Sequence, residues 1–356
     1  MRKIYFLLLI VLLSFFSNAQ TISSTTYPFT TSSGAALENM SSGTTSLVGS
    51  NSDDGVSSVQ NIGFDFWFVG TRYTQFSANA NGLIRLGSTV VGSTFTNDLT
   101  STTNVPQIAP YWDDLATGTT GNVVFKLVGS APNRKLVIQW FVTIPYSTAS
   151  AANATFQCWL NESTGTIDFV YGNGMVANSG GASIGFGTST TTFSSVTLNA
   201  TSASSTCAFG TANNTNTLAI TSGTRFTFTP ATPSSPSSLT FSSVGATSMM
   251  LNWADNSTNE VGFAIYRSTD NSTFTYFSQA SANATSITSN GLNPQTLYYW
   301  RVYAVSEGST SSSFAQGSQS TTACSQLTAG TYSVGLTGTY PTLTAALSAA
   351  QYGVNG

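Results

Sequence analysis

A chain of 356 residues with ten Lys or Arg, thirteen Asp or Glu and no histidine carries a formal charge of −3, and only 6% of it is charged. A composition so dilute and faintly acidic lacks the basic stripe with which proteins neutralise phosphates, which excludes nucleic acid and anionic membrane surfaces as partners. With no histidine, Ser-His-Asp and Cys-His nucleophile systems and every His-bearing metal site are excluded as well.

Residues 1–19, MRKIYFLLLIVLLSFFSNA, place Arg2 and Lys3 before an apolar run from Ile4 to Phe16, with Ser17 and Ala19 flanking a cleavage point before Gln20. This is the pattern of a secretory signal peptide. The run is shorter than the roughly eighteen apolar residues a spanning helix needs, and no later stretch approaches that length, so no membrane span is expected. No cysteine stands at the cleavage point to take a lipid anchor. Removing the signal leaves eight basic residues against thirteen acidic ones, a formal charge of −5. A secreted or cell-surface location follows.

Ser, Thr, Gly, Asn and Ala dominate the remainder, with short bursts of Val, Ile, Phe, Tyr and Trp between them. Such bursts between polar turns read as strands. They recur too regularly for disorder, and the expected fold is all-β. NIGFDFWFVG alternates Ile62, Phe64, Phe66 and Phe68 against Gly63, Asp65, Trp67 and Val69. The second set is apolar enough to predict partial cover on both faces. QFSANANGLIRLG gives strand, turn at Asn81-Gly82, strand, because both turn residues tolerate positive φ. GNVVFKLVGSAPNRKLVIQWFVTI is a longer hairpin turning at Pro132 and Asn133, with Leu136, Ile138, Trp140 and Val142 on one face. TFQCWLNESTGTIDFVYG turns through Glu162 to Gly165, and SIGFGTS and GTRFTFTP close the region at Pro230. None of these units can bury its face alone, so a sandwich is expected.

The order FDFWFVGTRY (Phe64 to Tyr73), NGLIRLG, PQIAPYWDDL and APNRKLVIQW resembles the β-sandwich at the front of large secreted bacterial surface proteins. It is also similar to the nidogen-type extracellular domain. The resemblance covers about residues 25 to 230 and implies a module of an exported, multidomain, adhesive protein, with no catalytic residues.

TPATPSSPSSLTF then reads as a linker. Beyond it, Met249, Leu251 and Trp253 run in phase, a second strand passes through Phe263 and Ile265, and Leu292, Pro294, Thr296, Tyr298, Trp300, Val302 and Ala304 form L-x-P-x-T-x-Y-x-x-x-V-x-A. This resembles a fibronectin type III domain over about residues 233 to 321. The resemblance implies that Trp253 packs the core and that Tyr298 makes the tyrosine corner, its hydroxyl bonded back upstream. Asp255, Asn256, Asn259 and Glu260 read as turn-capping residues rather than calcium ligands. The exposed-phase set Tyr299, Arg301 and Tyr303 is either a contact surface or ordinary cover of an open sheet face. The loop SEGSTSSS after Val305 contains no Arg-Gly-Asp. Pro341, Leu343, Ala346, Leu347 and Ala350 have the spacing of one short helix in a segment too short for its own core.

The expected organisation is therefore a signal peptide over 1–19, an antiparallel, jelly-roll-like β-sandwich over 20–230, a linker over 231–237, an immunoglobulin-like fibronectin type III sandwich over 233–321, and the start of a further, truncated domain over 322–356. Three cysteines, Cys158, Cys207 and Cys324, are too dispersed for a metal cluster. Cys158 with Cys207 is the one pair within a domain, and an exported protein could keep it as a disulfide. Cys158 alternates in phase with Phe156 and Leu160, which equally makes it a small buried hydrophobe.

Asp113 and Asp114, in IAPYWDDL, decide between enzyme and module. Successive strand side chains point to opposite faces, so the two share a substrate only if the chain turns between them. Glycoside hydrolysis needs two carboxyls about 5–10 Å apart, and Asp53, Asp54, Asp65, Asp98 and Asp168 are further candidates. The simpler reading is a turn entered at Pro110, its carboxylates bonded to local N–H groups. A weakly held calcium ion on Asp53, Asp54 or Asp113, Asp114 lies between the two. No catalytic, cofactor or metal residue is assigned. The reading is a non-catalytic secreted or cell-surface adhesion module of a multidomain bacterial protein, recognising extracellular protein or glycan. The second reading is the ancillary front of a secreted hydrolase whose catalytic domain lies beyond residue 356.

Overall fold

The computed structural model describes residues 21–324 and, beyond them, 333–335, 337–339, 342–344 and 346. The signal segment 1–19 lies outside the described residues, as does most of the C-terminal helix expected from Pro341, of which Leu343, Thr344 and Ala346 are helical.

Fourteen strands build the first unit. They are β1 (Phe29–Ser32), β2 (Thr45–Val48), β3 (Gln60–Phe68), β4 (Thr71–Ala78), β5 (Ile84–Leu86), β6 (Gln107–Trp112), β7 (Asn122–Val128), β8 (Lys135–Val142), β9 (Ala154–Asn161), β10 (Ile167–Tyr171), β11 (Ser183–Gly187), β12 (Phe193–Thr197), β13 (Thr206–Phe209) and β14 (Arg225–Phe228). They form two seven-stranded sheets, ordered β1-β14-β10-β9-β8-β7-β2 and β13-β12-β11-β6-β5-β4-β3, and every described pairing within them is antiparallel. Runs of chain neighbours, β3 to β6 and β7 to β10, are meanders in which each strand pairs with the one before it.

The period-two pattern sorts the faces. Leu136, Ile138, Trp140 and Val142 of β8 and Phe156, Cys158 and Leu160 of β9 all enter the core between the sheets. Trp140 stacks on Phe156 at 5.2 Å and donates its indole N–H to the Asn79 carbonyl at 2.8 Å, so its one polar atom is satisfied. Cys158 is therefore a core residue of the first sheet, whereas Cys207 sits on β13 at the far edge of the second, and both thiols are free. Burial drives both thiol pKa values up, that of Cys207 to about 12.

Two local expectations are corrected. Pro110 does not open a turn: it lies inside β6, all of whose residues are buried, opposite the register shift between Ser183 and Gly185. Such an irregularity tolerates a residue without an N–H to offer the ladder. The β4–β5 connection is also wider than an Asn-Gly hairpin, running from Asn79 to Leu83 and closed by the Asn79 N–H on the Leu83 carbonyl at 3.0 Å. Only Gly82 takes positive φ there, +81°, and a Cβ on it would lie 1.8 Å from the Tyr111 carbonyl oxygen. Both its positive φ and the close approach of the Tyr111 carbonyl select glycine there.

The second unit pairs a three-stranded sheet, β15 (Ser237–Ser242), β16 (Ser248–Ala254) and β19 (Ser286–Asn290), with a four-stranded one, β18 (Thr275–Ser281), β17 (Gly262–Ser268), β20 (Leu297–Val305) and β21 (Ala315–Ser320). Met249, Leu251, Trp253, Phe263, Ile265, Tyr298, Trp300, Val302 and Ala304 share its core. The Tyr298 hydroxyl accepts the Asn293 N–H at 2.9 Å, five residues upstream, while its ring is buried. Tyr298→Phe is expected to cost about 1 kcal/mol or more by stranding that N–H, read as a lower denaturation midpoint of the second unit. An unchanged midpoint would show the bond to be immaterial.

The two units touch through the β3–β4 turn. Trp67 packs with Ala264 and Val305, and the Tyr266 hydroxyl donates to Asp65 Oδ2 at 2.7 Å. Asp65 Oδ1 pairs with Arg72 at 2.6 Å, and the Arg72 guanidinium lies 4.4 Å over the Tyr276 ring. On the second face of NIGFDFWFVG, Trp67 and Asp65 are thus covered by β17, β18 and β20, while Val69 joins the first core and Gly63 stays exposed.

Candidate functional site

Strand direction sorts the connections of the first sandwich into two ends. The turns at 69–70, 129–134 and 162–166 lie toward the second unit, where Gly165 would meet the Gly308 carbonyl if given a side chain. The connections at 49–57, 79–83, 113–121, 143–153, 172–182 and 211–224 lie at the opposite, distal end. The long segment between β5 and β6 crosses the outer face of the second sheet, where Leu83, Val91, Leu99, Ala109, Trp112 and Phe193 form a separate apolar cluster, and reaches the same end.

Asparagine side chains weld these distal loops together. Asn81 donates to Asp54 Oδ1 at 2.7 Å and to the Ser93 carbonyl at 3.2 Å, and accepts the Leu115 N–H at 2.8 Å. Asn97 donates to the Gly181 and Asn214 carbonyls at 3.1 and 2.8 Å, and Asn214 donates to Asp98 Oδ1 at 3.0 Å. Asn178 donates to Asp113 Oδ2. Amides serve because each carries donors and an acceptor and so bridges unlike loops without adding charge.

The sequence candidates divide accordingly. Asp53, Asp54, Asp98, Asp113 and Asp114 gather at the distal end, whereas Asp65 belongs to the contact with the second unit and Asp168 is sealed in an ion pair with Arg225. Asp113 is 5% exposed, and its Oδ1 accepts the Asp114 N–H at 2.9 Å, the turn chemistry expected of the pair. Burial, aided by the neighbouring Asp114 charge against the pull of the Asp114 N–H, raises the Asp113 pKa to about 6. Burial and then repulsion by Asp53 and Asp54 raise that of Asp114. Asp98 goes the other way: hydrogen bonds from Thr100 and Asn214 outweigh its burial and hold it below the usual range. Among the described residues no group of three or more Asp, Glu or Cys is arranged to hold a metal ion, so the calcium reading finds no preformed cage.

A raised native pKa gives Asp113 a signed pH effect. The native state holds its proton where the unfolded chain has lost it, so this stabilisation is complete below about pH 4 and is lost as pH rises through about 6. Asp113→Asn is expected to flatten the fall in stability between pH 4 and 7, measured as denaturation midpoints across that range. A slope equal to wild type would place the titration elsewhere.

Sequence reasoning did not single out Phe95 or Tyr146. Phe95 is 50% exposed and Tyr146 42%, and the Tyr146 hydroxyl donates to Asp53 Oδ2 at 2.9 Å. The usable signal was that alternate strand connections share an end: all the distal loops lack Lys and Arg, and they are rich in Asn and Asp. In the second unit, Asp255 accepts the Ser257 N–H at 2.9 Å and Glu260 the Asn283 N–H at 3.1 Å, both loop-holding roles. Arg301 lies over Phe274 and Phe314, and Tyr303 packs on Tyr266, so the set Tyr299, Arg301 and Tyr303 is largely occupied within its own sheet. A cleft of about 180 Å³ near the β3–β4 turn, lined by Phe68, Val69, Thr71, Tyr73, Val105 and Pro106, presents no charged group.

Two antiparallel sandwiches in series, with the loops of the first held at its free end, define a modular all-β protein. Residues 26–230 match the model of the NIDO-related family and residues 234–320 that of the fibronectin type III domain. The chain belongs to the NIDO-related family and carries a fibronectin type III domain behind the family's own. Domains of these two kinds are typically non-catalytic modules. Similar solved structures include a fibronectin type III domain of human collagen XX, 22% identical over 25% of this chain and 90% of that one with a TM-score of 0.22. A fibronectin type III-like protein from Clostridium thermocellum is 24% identical over 25% of this chain and 92% of that one, with a TM-score of 0.22. A comparison with curated proteins returned no match.

Proposed function

We propose that this chain is a non-catalytic adhesion module of an exported, multidomain bacterial surface protein, that residues 1–19 are removed at export, and that its distal loops contact a basic region of an extracellular protein. One observation carries the reading: five carboxylates and the exposed Phe95 and Tyr146 share the end farthest from the second unit, and none of the eight Lys and Arg that follow the signal lies in those loops. Uncompensated negative charge attracts and orients a cationic partner, and flanking aromatics supply the apolar anchor. The asparagine bridges hold the loops in place before contact, which lowers the entropy lost on binding.

The test is retention of residues 20–356 on immobilised extracellular matrix proteins and on an array of neutral glycans, at rising salt. Salt-sensitive retention on basic proteins is expected, weakened about tenfold by Asp114→Asn with Tyr146→Ala, the loss of roughly one anchoring contact. Salt-insensitive retention on neutral glycans would replace the basic protein by a sugar. Turnover of any substrate abolished by one acidic substitution would overturn the non-catalytic reading.

A further inference from the structure

Between β1 and β2 the chain crosses the outside of the first sheet, from one of its edge strands to the other. Those edges lie about 29 Å apart at ~4.8 Å per strand. From Ser32 to Thr45 the chain can extend to about 43 Å, so this strap carries slack and can lift without unpairing either edge. It turns at Gly34 and Gly43, where φ is +76° and +69° and nothing stands within 4 Å of where a side chain would start.

The strap is seated as a bound peptide would be. Gln157 Oε1 accepts the Glu38 N–H at 2.9 Å, and Gln157 Nε2 donates to the Glu38 carbonyl at 2.8 Å, so one side chain takes both polar groups of one residue. That amide is itself held: the Trp159 indole N–H donates to Gln157 Oε1 at 2.8 Å, and Gln139 Oε1 accepts from Gln157 Nε2 at 2.8 Å. Ala35, Leu37 and Met40 pack on Val137, Trp159 and Val170. The Glu38 carboxylate pairs with Lys135, whose ammonium lies 3.8 Å over the Trp159 ring. No residue from 33 to 44 is itself buried, whereas Val137, Gln157, Trp159 and Val170 beneath them are. A sheet face of tryptophan and valine is not made for water, and a cover with so little burial of its own opens at a fraction of the cost of unfolding.

We propose that the strap is an internal stand-in for a foreign ligand, and that the face beneath it binds an extended peptide of another protein in which acidic residues stand between apolar ones. Leu37-Glu38-Asn39-Met40 shows the pattern the face accepts. Lys135 selects the first acid. Lys126, which forms no ion pair among the described residues, donates only to the Asn39 carbonyl. A peptide with a carboxylate at the Asn39 place gains an ion pair that the strap lacks, and this lets it displace the strap. A peptide suits the face better than a sugar because the Gln157 amide matches the N–H and C=O of a single residue. The site is separate from the distal loops and does not depend on the role proposed for them.

The probe is a labelled synthetic peptide of residues 34–43, its binding to residues 20–356 followed by fluorescence anisotropy. In the wild type the tethered strap competes from an effective concentration on the order of millimolar, so binding is weak. Leu37→Ser with Met40→Ser in the protein loosens the strap and is expected to tighten peptide binding about tenfold, as the open fraction rises. Lys135→Glu is expected to reverse the charge preference, taking a peptide with Glu38→Lys about tenfold more tightly than the unchanged one. A peptide with Asn39→Asp should gain about threefold on the unchanged one, the worth of an exposed ion pair, and no gain would overturn the call for a second acid. No binding to the loosened chain, or binding indifferent to the charge exchange, would overturn the site. Dimerisation of the loosened chain that the peptide dissolves would put the strap of a second copy there and overturn the foreign partner. Should the loosened chain fail to fold, hydrogen exchange in the wild type decides: the Glu38 N–H is expected to exchange by local opening, well ahead of the β9 core, and exchange only with global unfolding overturns the proposal.

Discussion

Arg225→Ala is expected to destabilise the first sandwich by about 3–5 kcal/mol, the largest effect of any single charged residue here, because it leaves a buried carboxylate without its cation. Asp168 is 0% exposed, and Arg225 grips it at both oxygens, at 2.8 and 2.7 Å. Thr227 and Asn161 add hydrogen bonds at 2.7 and 2.9 Å, so the four side chains form a closed polar group on the outer side of the first sheet. The position explains the sensitivity: Asp168 and Thr227 are register partners on β10 and β14, the strands that carry the edge strand β1. Asp168→Asn in the Arg225→Ala background is expected to recover part of the loss, since the stranded charge rather than the missing bond dominates the cost. Denaturant unfolding of the single and double variants measures this, and a double variant no more stable than Arg225→Ala would assign the loss to packing instead.

Trp67→Ala is expected to cost about 3–5 kcal/mol and to do so in two domains at once. Trp67 is the penultimate residue of β3, its side chain buried against Ala264 and Val305, and Tyr276 meets it edge-on at 6.4 Å. Beside it the Asp65, Arg72, Tyr266 and Tyr276 contacts are aligned only while the two units stay docked. Removing the indole takes away the apolar part of the contact and lets water reach the polar part, where exposed ion pairs are worth little. Calorimetry should show one cooperative transition in the parent and two in the variant. Two separated transitions already present in the parent would mean that the units unfold independently and the contact is weak.

Docking also bears on where a partner can bind. The outer face of β17, β18 and β20 is spent on the β3–β4 turn near Trp67 and on its own Tyr and Arg side chains farther along. The distal loops lie at the other end of the first sandwich, away from this contact.

Much of the strand pattern was legible in the chain before folding. Alternation at every second residue assigned Leu136, Ile138, Trp140 and Val142 to the core, and the doubly apolar β3 foretold a covered second face. The resemblance of the L-x-P-x-T-x-Y pattern to fibronectin type III domains pointed to Tyr298 and its upstream hydrogen bond, which the structure shows. The alternation was legible because strand periodicity is a property of neighbouring residues, and the corner because its residues form a compact family pattern. Tertiary structure alone decided the rest. Pro110 stands inside β6 opposite a register irregularity, and the Tyr111 carbonyl adds a close approach to the positive φ that already favours Gly82. Cys158 and Cys207 were assigned to different sheets, and Asp53, Asp54, Asp113 and Asp114 became neighbours only when β3 to β6 folded back on themselves. What covers Trp67 and what grips Asp168 depend on residues far away in the chain, and sequence spacing carries no information about which distant segments meet when fourteen strands close into two sheets.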